Sequence, residues 1–267
     1  MDDLERLQLA YRPRRAPGEF WDASTYNLLN PAVYFNEEQF RSTLVDFLSR
    51  EGLNASGMSR LRVLEVGCGW GRNLNFLLEL GCLTKNLCGV DLMEHHIAAG
   101  KELNPGLNLS CGNGENLEFE EMSFDIILFH TVFSALLDIN IQRNLFAEAV
   151  RVLRPAGSIL IYDILQNYST GTFDDKKHGK IVYIKGINPK KFSEFAHGRA
   201  YVTFKKTLGL SPKIRHLILQ GPWNVFFKNL TGKKPGCIFS RNRLLLAGIG
   251  SLLPGLGTHF FLAVKKS

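Results

Sequence analysis

The chain carries little that would mark it for export or for a metal. Among its 267 residues are five cysteines, Cys68, Cys82, Cys88, Cys111 and Cys237, and no two are spaced as CxxC. That argues against a zinc site or a disulfide framework, and for free thiols in a reducing, cytoplasmic setting. No metal is expected. The opening Met1-Asp2-Asp3-Leu4-Glu5 is acidic and lacks the apolar core of a signal peptide. No run is apolar enough to read as a membrane span. The nearest, residues 244–262, is broken by four glycines, Pro254 and His259, and reads as a buried helix followed by a strand. Repeats and low-complexity tracts are absent.

Acidic residues are scarce at one end. Residues 164–267 hold 3 Asp+Glu against 18 Lys+Arg, a balance of +15, whereas residues 1–163 hold 22 against 14, a balance of −8. Two readings stand: an anionic partner for the C-terminal third, such as an anionic membrane surface, or a lysine-rich solvated face. Nucleic acid is the weaker partner, because the aromatic residues there form no stacking platform.

What is present is a normal core composition, 45% apolar, enough for one α/β domain with additions. Residues 1–60 read as an N-terminal helical extension. Phe40, Leu44, Phe47 and Leu48 at helical spacing predict a helix over 36–50, and 52–59 reads as a turn-rich link. From residue 61 to 163, strands and helices alternate. Strands are expected at 62–66, 86–91, 107–111, 124–129 and 158–162, and helices at 71–80, 94–103 and 141–153. The Arg154-Pro155-Ala156-Gly157 stretch closes the last helix. Such alternation implies a mostly parallel sheet covered on both faces. Residues 164–267 are expected to complete the sheet. They comprise a polar loop at 166–178, a helix at 189–196, strands at 201–206 and 259–264, and an acceptor-side insertion over 209–256.

The strongest motif is Glu65-Val66-Gly67-Cys68-Gly69-Trp70-Gly71, which follows a strand and opens a helix. Glycines there permit a tight turn and a close approach of ligand to backbone. A dinucleotide fingerprint would place its third glycine at position 72, which is Arg72; the spacing is GxGxG. Asp91 ends the next strand, where a carboxylate can accept both ribose hydroxyls of a nucleoside. The competing reading is a helix N-cap, but strand end, spacing and glycine loop together favour the ligand role.

These blocks, in order VLEVGCGWG, GVDL, GNGENL, SFDIILFHTVFSAL and AEAVRVLRPAGSILIYD, resemble the core of class I S-adenosylmethionine-dependent methyltransferases over residues 63–163. YNLLNP, YDILQN, KGINPKKFSEF and LPGLGTHFFLAVKK are more loosely similar to bacterial members associated with polysaccharide and secondary-product gene clusters. The resemblance implies a Rossmann-like seven-stranded sheet and S-adenosylmethionine as cofactor. It also implies roles. Glu65 would organise the glycine loop and approach the ligand's amino group. Gly67, Cys68, Gly69 and Gly71 would form the cradle, with backbone atoms of the first three offered to the methionine part. Asp91 would hold the ribose, with Leu92 against the adenine. Asn113 would meet the adenine amine, where many relatives have Asp, and Phe129 and His130 would meet the methionine end. The N-terminal extension, with Trp21, Tyr26, Asn30 and Tyr34, would fold over cofactor and acceptor.

Methyl transfer is an in-line displacement that alignment alone can promote, and a hydroxyl acceptor gains further from a general base. His130 and Asp163, at the ends of the fourth and fifth strands, are the candidate bases. A histidine that only shapes the pocket is the competing reading. Tyr162 is expected to pack. His95 and His96 lack a carboxylate at helical spacing and belong on the surface or at the adenine pocket. No Pro-Pro-aromatic or Pro-Cys signature follows the fourth strand, which reads His130-Thr131-Val132-Phe133. Exocyclic-amine and pyrimidine C5 methylation are thereby disfavoured. The expected acceptor is a small molecule or glycan, anionic or lipid-linked, methylated on oxygen. N-methylation, RNA methylation and cofactor binding without turnover are the alternatives.

Overall fold

A computed structural model describes residues 2–11, 28–29, 31–166, 170–175, 179–208 and 259–267. Its centre is a seven-stranded sheet built from apolar runs too short for helices. β1 (Val63–Val66) and β2 (Leu87–Asp91) are buried at every position, as strands covered on both faces must be. β3 (Asn108–Cys111), β4 (Phe124–His130) and β5 (Leu153–Ile164) complete the parallel part. Two further strands, β8 (Ala200–Leu208) and β9 (His259–Lys266), close the sheet in the order β3-β2-β1-β4-β5-β9-β8, with β9 antiparallel to both neighbours.

Period-two alternation sends side chains to two separate cores. Leu64, Val66, Ile127, Phe129, Ile159 and Ile161 face one side. Val63, Leu128, Leu160, Tyr162 and Phe261 face the other, where helix α2 (Pro31–Arg50) packs Phe40, Leu44, Phe47 and Leu48. Glu65 and His130 belong to this second face by the same alternation. Helices α4 (Arg72–Glu79), α5 (Glu94–Leu103) and α6 (Ile139–Val152) connect the parallel strands.

The helix at 36–50 begins earlier than expected, at Pro31, a residue suited to a first helical turn. The link at 52–59 contains the short α3 (Ala55–Met58), capped by the Asn54 side chain. An unforeseen helix, α1 (Asp3–Tyr11), starts where the Asp2 carboxylate accepts from Glu5 N at 2.7 Å. The acidic first turn that speaks against a signal peptide is also a favourable helix start. It docks through Arg6 on the Ala135 carbonyl, and through Asp3 accepting from Leu137 N and Asp138 N at 2.8 and 2.9 Å.

Two expectations are corrected. Residues 154–157 do not separate α6 from β5. The strand starts at Leu153 and absorbs them as an irregularity, with Ala156 at φ 60° and a register shift opposite Phe124/Ile126. The stretch 166–178 is not all loop: β6 (Thr170–Asp175) pairs antiparallel with β7 (Gly179–Lys185). β6 reads as loop because TGTFDD is polar, and its strand form is set by the partner. Short α7 (Lys191–Phe195) lies within the expected 189–196. The insertion over 209–256 and the expected helix from residue 244 lie outside the described residues. No described helix is long and apolar enough to cross a membrane.

Candidate functional site

The carboxyl ends of β1, β2, β4 and β5 meet at one edge of the sheet. There the chain leaves β1 through three glycines with positive φ, Gly67 at 74°, Gly69 at 54° and Gly71 at 84°. No side chain fits the first: a Cβ on Gly67 would lie 2.5 Å from Val132 Cγ2. Gly67 N and Cys68 N both donate to Val90 O, at 2.7 and 3.1 Å. Gly69 N donates to Asp91 Oδ2 at 2.8 Å, and Met93 N to Asp91 Oδ1 at 2.9 Å. His96 Nδ1 lies 3.2 Å from the same Oδ1. One buried carboxylate thus ties the glycine loop to the turn after β2. The loop N–H groups expected to meet a ligand are already used, so what the loop retains for a ligand is carbonyl oxygen.

Beneath the loop lies a cavity of about 360 Å³, within the range of small-ligand sites, roughly 300–1,000 Å³. Glu65, Asn73, Asp91, His130 and Glu37 all face it. Asn73 Nδ2 donates to Glu65 Oε1 at 2.6 Å. Glu65 Oε2, Asn73 Oδ1, Glu37 Oε2 and His130 Nε2 are buried without a hydrogen-bond partner among the described residues. Burial, reinforced by the nearby Glu37 and Asp91 carboxylates and offset in part by Asn73, raises Glu65 from 4.5 to about 8. The folded chain therefore keeps a proton that the unfolded chain has lost. Between 4.5 and about 8 this residue makes stability fall as pH rises. Glu65→Gln should flatten that slope in urea titrations of the ligand-free protein; an unchanged slope would refute the buried, protonated assignment.

The two candidate bases are placed differently. His130 faces the cavity, stacked on Tyr162 with centroids 4.8 Å apart and edge-on to Phe40 at 4.6 Å. Tyr162 stacks in turn on His259 at 5.1 Å. Burial lowers the His130 pKa from 6.5, against the opposing Glu37 carboxylate. Its ring is therefore neutral and able to accept a proton at neutral pH. Asp163 is wholly buried and does not line the cavity. It accepts from Ser134 N at 3.1 Å and Ile164 N at 2.8 Å, fastening the turn after β4 to β5. Burial raises it from 3.8 to about 6. Asp163→Ala would orphan these donors, and a loss of about 2–4 kcal/mol in urea unfolding is expected. Asp163→Asn, which keeps an acceptor, should lose less. Wild-type stability in the alanine variant would contradict the fastening role.

Residues 64–161 match a family model described as a methyltransferase domain. A stretch of 109 residues is 38% identical to phthiotriol/phenolphthiotriol dimycocerosates methyltransferase 1 of Mycobacterium ulcerans (strain Agy99), covering 40% of this chain and 39% of that protein. Residues 64–161 carry a methyltransferase domain. Among solved structures, the PH0226 protein of Pyrococcus horikoshii OT3 covers 93% of this chain and 96% of its own, with a TM-score of 0.58 at 14% identity. An S-adenosylmethionine-dependent methyltransferase of Mesorhizobium loti covers 77% and 91%, with a TM-score of 0.51 at 14% identity. Both likenesses concern the fold. The chain spans about two fifths of the length of the curated relatives it matches first.

The cofactor of this class is S-adenosylmethionine, and the residues of the methyltransferase domain fit it. The Asp91 carboxylate stands at the tip of β2, and the cradle at Gly67 excludes a side chain. Buried acceptors without donors suit an ammonium-bearing ligand. Leu92 and Asn113 also line the cavity, with Asn113 Oδ1 already accepting from Glu115 N at 3.0 Å. Phe129 does not line it; its ring packs on Phe133 at 4.9 Å in the core. Nor does Gly71. A Cβ there would lie 2.9 Å from Leu107 Cδ1, so that glycine serves close packing of α4 on the sheet. Trp21, Tyr26 and Asn30 lie outside the described residues, and Tyr34 is exposed. Among the described residues, Cys68, Cys82, Cys88 and Cys111 form no disulfide.

Sequence reasoning missed Glu37, Arg72, Asn73 and the α1 residues Leu7 and Tyr11, all at the cavity. For Glu37 a signal existed: it is in phase with Phe40 and Leu44, and a carboxylate on an apolar helix face is an anomaly.

Proposed function

We propose that this chain transfers a methyl group from S-adenosylmethionine to a hydroxyl oxygen of a small or lipid-linked acceptor. The observation that carries this reading is His130 Nε2, a buried ring nitrogen without a hydrogen-bond partner among the described residues and 3.9 Å from Glu37 Oε1, on a cavity-lining residue at the end of β4. When bound, the cofactor supplies a methyl on a positively charged sulfur, so a nucleophile needs only to be aligned and deprotonated. Asp91 would hold the ribose hydroxyls, Leu92 would pack on the adenine and Asn113 would accept from its amine. Glu65 would meet the amino group, and the carbonyls of the Gly67–Gly69 loop would line the methionine part. His130 would take the acceptor's hydroxyl proton and pass it to solvent. Asp163 takes no proton and supports the turn beside His130.

The rest of the wall favours an apolar acceptor. Leu7 from α1, Val33 from α2, and Leu136 and Ile141 beyond β4 face the same cavity. The M. ulcerans relative is named for a triol, a hydroxyl compound. The basic C-terminal third would hold the chain to an anionic, cytoplasmic membrane face where such an acceptor lies.

The test is transfer of tritium from methyl-labelled S-adenosylmethionine into bacterial extracts divided into organic-soluble, nucleotide-sugar and RNA fractions. Label should enter the organic-soluble fraction on an alkali-stable ether. Label confined to RNA would overturn the acceptor class. Firm cofactor binding with no labelled fraction would overturn the catalytic reading.

A further inference from the structure

One wall of the cavity carries buried polar atoms that no described residue satisfies. Glu65 is 1% exposed and its Oε2 has no partner among the described residues, and neither do Asn73 Oδ1 and Glu37 Oε2. Two of these residues belong to the methyltransferase domain. Glu37 does not: it arrives from α2, outside residues 64–161. Arg72, the first residue of α4, faces the same space, with Nη1 3.4 Å from Glu37 Oε1. Both side chains are largely buried, at 19% and 12% exposure. An apolar ligand would leave these atoms without partners, and an anion would be repelled by Glu37 and Asp91. A group bearing a cation beside an anion satisfies them all.

We infer that Glu37 and Arg72 read the zwitterionic amino-acid end of the cofactor, Glu37 taking the α-ammonium together with Glu65, and Arg72 taking the α-carboxylate. The inference rests on S-adenosylmethionine being the ligand, and not on the acceptor assigned above. In the ligand-free chain the two side chains neutralise each other. On binding, that ion pair is exchanged for two across the ligand. The ammonium brings three N–H donors to a wall holding unmade acceptors. Because Glu37 stands on α2, the bound amino-acid end ties that helix to the core. The groups facing this end are Glu37 and Arg41 from α2, Arg72 and Asn73 from α4, Glu65 from β1, Asp91 from β2 and His130 from β4. Glu65 is protonated in the ligand-free protein and becomes a carboxylate against the ammonium, so binding releases a proton below pH about 8.

Calorimetry with two ligands tests this. S-adenosylhomocysteine has the amino-acid end, and 5′-methylthioadenosine keeps the nucleoside and sulfur without it. Glu37→Gln and Arg72→Met should each weaken S-adenosylhomocysteine about ten- to a hundredfold, the scale of a lost charged hydrogen bond. They should leave 5′-methylthioadenosine unchanged. Proton release, read from binding heats in buffers of differing ionisation enthalpy, should fall in Glu65→Gln. If both ligands weaken together in a folded variant, Glu37 only supports the core and the inference is overturned. If neither weakens, it is overturned as well. Wild-type protein that binds neither ligand would defeat the cofactor reading itself. Wild-type protein that binds both equally would defeat this inference alone.

Discussion

Asp91→Ala should weaken S-adenosylhomocysteine binding by at least about a hundredfold. The carboxylate accepts from Gly69 N and Met93 N and lies 3.2 Å from His96 Nδ1, so it organises both loops that border the nucleoside end. Removing it deletes the acceptor for the ribose hydroxyls and orphans two backbone donors. Hydrogen bonds to charged groups contribute about 1.5–3 kcal/mol each, and about 1.4 kcal/mol is tenfold in affinity. Two such losses exceed a hundredfold. The drop should be equal for 5′-methylthioadenosine, since the ribose is common to both ligands, whereas Glu37→Gln should separate them. Asp91→Asn should recover little: its amide NH₂ would confront one of the two N–H donors. Calorimetry on a variant shown to be folded decides the matter. Affinity equal to wild type would place the nucleoside elsewhere.

His130→Asn should lower turnover of the labelled acceptor by about 10²–10⁴, the usual worth of a positioned general base, with little change in S-adenosylhomocysteine affinity. The pH profile gives a second readout. Burial lowers the His130 pKa below its ordinary 6.5, so the ring stays neutral as pH falls through 6.5. The acid limb of turnover should therefore lie below that value rather than on it. A rate that survives the substitution would leave alignment of acceptor, methyl and sulfur as the whole of the catalysis. A limb at or above 6.5 would show the imidazole less buried than the geometry has it.

Much of this was legible before any coordinates. Apolar runs of four to seven residues separated by amphipathic stretches can satisfy their backbones only as covered parallel strands, so β1 to β5 were readable in order. The Gly67–Gly71 turn and Asp91 were readable because strand ends place them on one edge of a sheet, whatever packs around it. Harder were elements whose state depends on a partner: β6, polar by itself, is a strand because β7 pairs with it. Asp163 and His130 looked equivalent from the chain, both at tips of neighbouring strands. The alternation of facing puts them on opposite sides of the sheet. His130 lies beside Tyr162 on the face that α2 covers, and Asp163 points to the other side, toward Ser134.

The sequence by itself determined the succession of strands and helices, the mostly parallel sheet and the positions of the glycine turn and Asp91 at strand ends, because these follow from local pattern and from glycines that only a turn can use. The tertiary structure alone decided the rest of the cavity. Glu37 lies 28 residues before Glu65 in the chain, on a helix with no motif of its own. Only the packing of Phe40, Leu44 and Phe47 against the sheet brings its carboxylate to Arg72 and His130. No local pattern encodes that meeting, since it depends on the docking angle of one amphipathic face on another.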